Sequence, residues 1–255
     1  MTLLGPQEPP AVSVARAASD SPFLLTCDHA SNRIPATLGD LGVPAAARER
    51  HIAWDIGALA VARGLSAALD ATLVASGYSR LVIDLNRPLH RHDLCPVLSE
   101  DTSIPGNVAL AETEKQRRCA ALFEPYHDTI ARLLDARAAR GQSTLLVAIH
   151  SFTPVYAGVA RPWEIALLSN RDRRVADCLL RALHRDHVLH VGDNIPYRLT
   201  DDGDYGVPVH GERRGLPHVL VELRQDTVAS AGGQRAWVER LAPLLREAWA
   251  CVSPA

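Results

Sequence analysis

Two apolar runs in this chain each end on a histidine: Leu24-Leu25-Thr26-Cys27-Asp28-His29 and Leu145-Leu146-Val147-Ala148-Ile149-His150-Ser151. Runs of that length rich in Leu, Val and Ile read as buried strands. A polar side chain at the C-terminal end of such a strand falls where open α/β sheets place their ligand crevice. A catalytic zinc site takes three protein ligands from His, Asp or Glu and keeps one position for water. His29 and His150 are candidate ligands if their strands lie near each other in one sheet. The carboxylate chosen as third ligand is Asp55, in His51-Ile52-Ala53-Trp54-Asp55-Ile56-Gly57. Asp28 is nearer in sequence, but alternation along a strand points it away from His29. Each residue also has a plainer reading, the histidines as hydrogen-bonded strand ends and Asp55 as a helix N-terminal carboxylate favoured by the dipole.

Glu222 lies within an otherwise apolar strand, Pro217-His218-Val219-Leu220-Val221-Glu222-Leu223-Arg224, where a carboxylate needs a partner or a task. Beside an activated water it could take the proton as water attacks a carbonyl and pass it to the leaving nitrogen, a role that burial assists by raising its pKa. An ion pair with Arg224 is the alternative. The segment Val82-Ile83-Asp84-Leu85-Asn86-Arg87-Pro88 ends on Asn-Arg, and the planar fork of arginine suits a substrate carboxylate. Arg87 as a structural partner of Asp84 or Glu100 is the competing assignment.

The elements that must position these groups alternate strand and helix. Apolar residues at helical spacing predict a helix over 52–69, with Asp55 in its first turn. Strands are expected at 71–75 and 81–85 around the turn Ser76-Gly77-Tyr78-Ser79, then an irregular loop over 88–108. A long helix over 110–139 has Glu112, Glu114, Lys115, Arg117 and Arg118 on its solvent face, with Gly141 as its stop. Strands at 145–150, 164–168 and 219–223 follow, with helices at 172–184, capped by Ser169 or Asn170, and at 233–250. The pattern predicts an α/β three-layer sandwich with a mixed, mostly parallel sheet. Residues 1–20, with Pro6, Pro9, Pro10 and Ser13, read as a loose leader, and 21–255 as a single catalytic domain. The loop at Asn194-Ile195-Pro196-Tyr197, continuing to Gly203, Tyr205 and Gly206, is placed over the pocket or on the surface, with Asp201, Asp202 and Asp204 solvated.

Composition narrows the class. A 255-residue chain with 47% hydrophobic and 22% charged residues and a net charge of −2 has the balance of a globular protein and no basic footprint for nucleic acid. No apolar run approaches the roughly 18 residues of a membrane span, and the N-terminus has no signal-like pattern. A cytoplasmic location and a small-molecule partner are the expectation. The five cysteines are scattered without a CxxC, so neither a disulfide framework nor a thiolate zinc finger is suggested.

Taken in order, Cys27-Asp28-His29-Ala30-Ser31-Asn32-Arg33-Ile34-Pro35, Trp54-Asp55-Ile56-Gly57, Tyr78-Ser79-Arg80-Leu81-Val82-Ile83-Asp84-Leu85-Asn86-Arg87-Pro88, Ile149-His150-Ser151-Phe152 and His218-Val219-Leu220-Val221-Glu222 resemble the N-formylglutamate amidohydrolase family across about residues 22–245. The resemblance implies a zinc-peptidase-like (phosphorylase/hydrolase-like) fold related to carboxypeptidase and aspartoacylase. It also implies metal-dependent cleavage of the N-formyl or other N-acyl amide of an acidic amino acid such as N-formyl-L-glutamate. Under it, one Zn2+ or similar divalent ion is held by His29, Asp55 and His150, and Glu222 is general base and then acid. Asn86 and Arg87 meet a substrate carboxylate, and Arg161 is a second cationic arm. The His-x-x-Glu ligand pair of those relatives departs here to Asn32, which leaves Asp55 and the Asn32 region as alternatives for the third ligand. Two other classes are weighed. One is a cysteine hydrolase using Cys27 beside His29, or Cys95 near His90 and His92. The other is a non-catalytic binding module for an acidic metabolite.

Overall fold

The computed structural model describes residues 2–185 and 187–253, so the outermost residues of the expected leader and catalytic domain lie outside it. Its centre is a seven-stranded sheet whose order across the sheet is β1 (Val12–Ala15), β3 (Thr72–Ser76), β2 (Phe23–Cys27), β4 (Leu145–Phe152), β7 (His218–Arg224), β5 (Ile165–Leu168) and β6 (Val191–Asp193). The four central strands β3, β2, β4 and β7 are parallel; β1 pairs antiparallel with β3, and β5 antiparallel with β7. Within the stretch expected to be a loose leader, Val12–Ala15 thus adds an edge strand, and Leu3 is buried. The reason is backbone pairing, since β3 would otherwise present an open edge on that side.

Alternation along the central strands divides the core. Leu25, Val147 and Val221 face a layer made by α1 (Ala58–Leu69), α3 (Arg174–Leu183) and α4 (Ala231–Val252). Leu24, Val74 and Leu146 face the other layer, made by α2 (112–139) and the chain around 78–104. Helix α2 spans 112–139: α-helical at Glu112–Arg118 and Glu124–Ala139, π-helical over Cys119–Phe123 between them. This is the expected three-layer α/β sandwich with a mixed, mostly parallel sheet. No helix of the described residues is long and apolar enough to cross a membrane.

Four local expectations are corrected. The helix after β2 starts at Ala58, not near 52, because Gly57 sits at φ +81°. A Cβ there would come within 2.6 Å of the Val228 carbonyl oxygen, so the sharp entry turn is open only to glycine. Residues 81–85 are buried but are not a strand. Their backbone groups are taken by side chains and turns: Asn107 Nδ2 donates to Leu81 O at 2.8 Å, Arg118 Nη1 to Val82 O at 2.9 Å, and His127 Nε2 to Leu85 O at 2.8 Å. With these groups committed elsewhere, a continuous ladder cannot form. Arg118, expected on the solvent face of α2, is therefore buried, with a further bond of 2.6 Å to Asn107 Oδ1. Helix α3 has no side-chain cap from Ser169 or Asn170.

His127 is itself held from behind, its Nδ1 accepting from His210 Nε2 at 3.0 Å with the rings stacked. Burial pushes His127 down to about 4 and His210 to about 3, the second also through repulsion from His127. An unfolded imidazole titrates near 6.5, so between about 6.5 and 4 the unfolded chain binds protons that this folded pair refuses, and their stabilisation is lost as pH falls. Glu222, whose carboxyl burial raises to about 7, pulls the opposite way in that window. A comparison with a variant isolates the contribution of His210. The stability advantage of wild type over His210→Gln, measured by urea unfolding, should shrink from pH 6.5 to 4.5 by up to about 1.4 kcal/mol per pH unit; a constant difference would contradict it.

Candidate active site

The C-terminal ends of β2, β4 and β7 deliver the chemistry. Register places Glu222 directly beside His150, and His29 follows β2 by two residues. Asp55 arrives on the turn before α1, fixed by its own N–H donating to His29 O at 2.9 Å. Its Oδ2 lies 2.9 Å from His150 Nδ1 and 3.4 Å from His29 Nδ1. One ligand-type atom from each of His29, Asp55 and His150 falls within a 4.8 Å cluster, and all three residues are buried. Asn32, the alternative region for a third ligand, instead donates to Arg48 O at 3.2 Å.

The far nitrogens of both rings face carboxylates. His29 Nε2 donates to Asp84 Oδ1 at 2.7 Å, and Asp84 Oδ2 accepts from Arg80 at 2.6 and 3.0 Å. His150 Nε2 is 3.3 Å from Asp28 Oδ2. Metal-binding imidazoles commonly donate their second ring N–H to a carboxylate in this way. Burial alone would raise all three aspartates. The neighbouring imidazoles hold Asp28 down to about 2 and Asp55 lower still, while Arg80 and then His29 do the same for Asp84. Against burial, the same aspartates raise His29 and His150, and with both rings protonated these two and Arg80 balance the three carboxylates. With both rings neutral, as ligands must be, an excess of two negative charges remains, which a divalent ion matches. The donor set of two imidazole nitrogens and one carboxylate oxygen also suits such an ion.

A cleft of about 600 Å³ opens over this cluster. Glu222 lines it with Oε2 unpartnered and its carboxyl pushed by burial to about 7. The alternative pair with Arg224 does not form; Arg224 bonds Asp226 at 2.7 Å. Asn86 and Arg87 also line the cleft, but both are engaged by the 200–206 loop. Asn86 Oδ1 accepts from the N–H groups of Tyr205 (3.1 Å) and Gly206 (2.9 Å), its Nδ2 donates to Asp204 Oδ1 at 3.1 Å, and Arg87 Nη1 donates to Gly203 O at 2.6 Å. Asp204, expected in solvent, is therefore largely buried, and the loop walls the cleft. Arg161 is not among the lining residues. Its guanidinium packs 4.6 Å from the Tyr156 ring and 4.9 Å from the Tyr197 ring and donates to Tyr197 Oη at 2.9 Å.

Two cleft residues escaped the sequence reading. Arg80, inside the Tyr78-Ser79-Arg80 stretch, was given no role, yet its Nη1 comes within 3.5 Å of Asp55 Oδ1. Arg198 stands exposed at the rim with no hydrogen bond or ion pair to the described residues, whereas Arg87 and Arg91 are each paired with Asp93. No local motif marks Arg198; only its place on the folded loop does. The cysteine alternatives find no support, since the Cys27 thiol is buried toward the α1 layer and pushed well up, and burial raises Cys95 to about 11.

Comparison with known proteins agrees with this architecture. A gene product of Agrobacterium tumefaciens of known structure shares 41% identity over 99% of this chain and 100% of its own, at a TM-score of 0.95. An N-formylglutamate amidohydrolase from Ralstonia eutropha shares the fold at a TM-score of 0.68 and 19% identity, over 94% of this chain and 98% of its own. No curated protein matches the chain. The family model for N-formylglutamate amidohydrolase matches residues 21–229, and this chain belongs to that family.

Proposed function

We propose that this protein is a metal-dependent amidohydrolase that cleaves the N-formyl or other N-acyl amide of an acidic amino acid, with N-formyl-L-glutamate the first candidate. The observation that carries the reading is the buried His29, Asp55 and His150 cluster in the floor of a cleft that also holds a carboxyl poised near neutrality. Family membership supports the hydrolytic class. In this reading residues 21–255 act as one catalytic domain with a zinc-peptidase-like arrangement, in the cytoplasm, on a small-molecule substrate.

A divalent ion, with zinc the first choice, held by His29, Asp55 and His150 would supply Lewis acidity toward the amide carbonyl and a lowered pKa for water. Glu222 takes the proton of the attacking water and returns it to the departing nitrogen, for which a pKa near 7 suits both directions at neutral pH. Arg80, held by Asp84 beside the cluster, stabilises the negative charge that develops on the carbonyl oxygen. Arg87, which lines the cleft with its fork only partly engaged, meets one substrate carboxylate, and Asn86 orients that wall through the 200–206 loop. Arg198 takes the second carboxylate, because it lines the cleft and its guanidinium has no partner to displace among the described residues. Arg161 acts from behind by bracing Tyr197.

Three outcomes check these roles. Glu222→Gln should keep its metal but lose turnover by a factor of order 10² or more, the scale of a lost acid-base group; near-normal turnover would remove Glu222 from the mechanism. After dialysis His150→Ala should carry much less zinc than wild type by elemental analysis, and full retention would exclude it as a ligand. On a panel of N-formyl and N-acetyl amino acids, Arg87→Ala and Arg198→Ala should raise KM for dicarboxylic substrates while leaving metal content unchanged. Arg198→Ala should spare monocarboxylic substrates, and a uniform effect across the panel would refute its assignment.

A further inference from the structure

We infer that Asp28, held by Tyr126, is a positioning residue that fixes the tautomer and ring orientation of His150. This inference rests on the proposed metal centre and concerns the groups behind it. Asp28 is buried, does not line the cleft, and is closed in on the loop side by Gly206, where a Cβ would lie 3.2 Å from its Oδ2. It has no path to a substrate. Its Oδ1 accepts the Tyr126 hydroxyl, and Tyr126 is itself fully buried in α2. A carboxylate placed there only to hold the core would have both oxygens satisfied.

Instead Asp28 Oδ2 and His150 Nε2 are both buried without a hydrogen bond, and they face each other at 3.3 Å. The opposite nitrogen of the same ring, Nδ1, lies 2.9 Å from Asp55 Oδ2. A His150 that offers the Nδ1 lone pair to a cation must carry its proton on Nε2, and Asp28 is the acceptor standing there. A small turn of the ring brings that N–H into line. His29 shows the completed form of the same device, with Nε2 donating to Asp84. The two differ in what holds the carboxylate, which is the Arg80 guanidinium at Asp84 and a neutral phenol at Asp28.

The test uses the full-length protein loaded with zinc, for affinity against a chromophoric chelator, and with cobalt(II), for proton NMR of exchangeable ring N–H signals shifted by the ion. Wild type should show two such signals, from His29 and His150. Asp28→Ala should lose or broaden one of them by solvent exchange and bind zinc about 10–100-fold more weakly, the scale of outer-shell losses. Tyr126→Phe removes a single hydroxyl, tests the same link if Asp28→Ala fails to fold, and should shift one signal with an affinity loss near the lower end of that range. Wild-type affinity and unchanged signals in the folded variants would overturn the inference while leaving the metal centre standing. A wild-type protein that takes up neither ion would overturn the centre and the inference with it.

Discussion

The structure depends on keeping a cluster of carboxylates ionised in a place where water is largely excluded. Asp28, Asp55 and Asp84 are all buried at the C-terminal edge of the sheet, and each is held charged only by groups brought from elsewhere in the chain. Isolated burial of one such charge would cost several kcal/mol. Their presence as a group therefore requires two imidazoles, a guanidinium and, in the proposed reaction, a divalent ion. Glu222 lies beside the same cluster but lacks a direct partner, and burial sets it apart as the one acidic group there able to exchange a proton near neutrality.

That requirement explains the unusual segment at 78–87. Asp84, Asn86 and Arg87 have to stand at fixed angles over the strand ends, which a regular strand could not provide, because alternation would send neighbouring side chains to opposite faces. The backbone is instead held irregular and buried, with its carbonyls taken by Asn107, Arg118 and His127. Helix α2 supplies the last two, and Tyr126 beside them reaches Asp28. One helix thus braces both sides of the candidate site, so the polar residues of its inner face position that site as well as filling the core.

The apolar runs ending at His29 and His150 were legible because a buried central strand needs a continuous hydrophobic sequence, and their polar ends have few other places to lie. Glu222 was legible for the same reason, as a charge out of keeping with its strand. The three-layer class followed from the alternation of periods. The segment 81–85 misled, since its apolar composition is that of a strand while its hydrogen bonds go to distant side chains that no local pattern reveals. Arg118 misled likewise: a basic residue closing a charged run reads as exposed, and only its three-dimensional partners explain its burial. Asp28 was set aside on strand alternation, yet β2 ends at Cys27 and the chain has already left the strand.

The sequence by itself determined the family, the class of fold and the groups able to bind a metal or move a proton, because these follow from residue type and from short-range hydrophobic period. Tertiary structure alone decided how those groups are partnered. It turned Asn86 and Arg87 toward the 200–206 loop, drew Arg161 behind Tyr197, put Arg198 at the rim and set Asp28 against His150. The physical reason is that a hydrogen bond or ion pair is a property of distance in space. In this chain the decisive pairs join residues as far apart as 28 and 150 or 86 and 206.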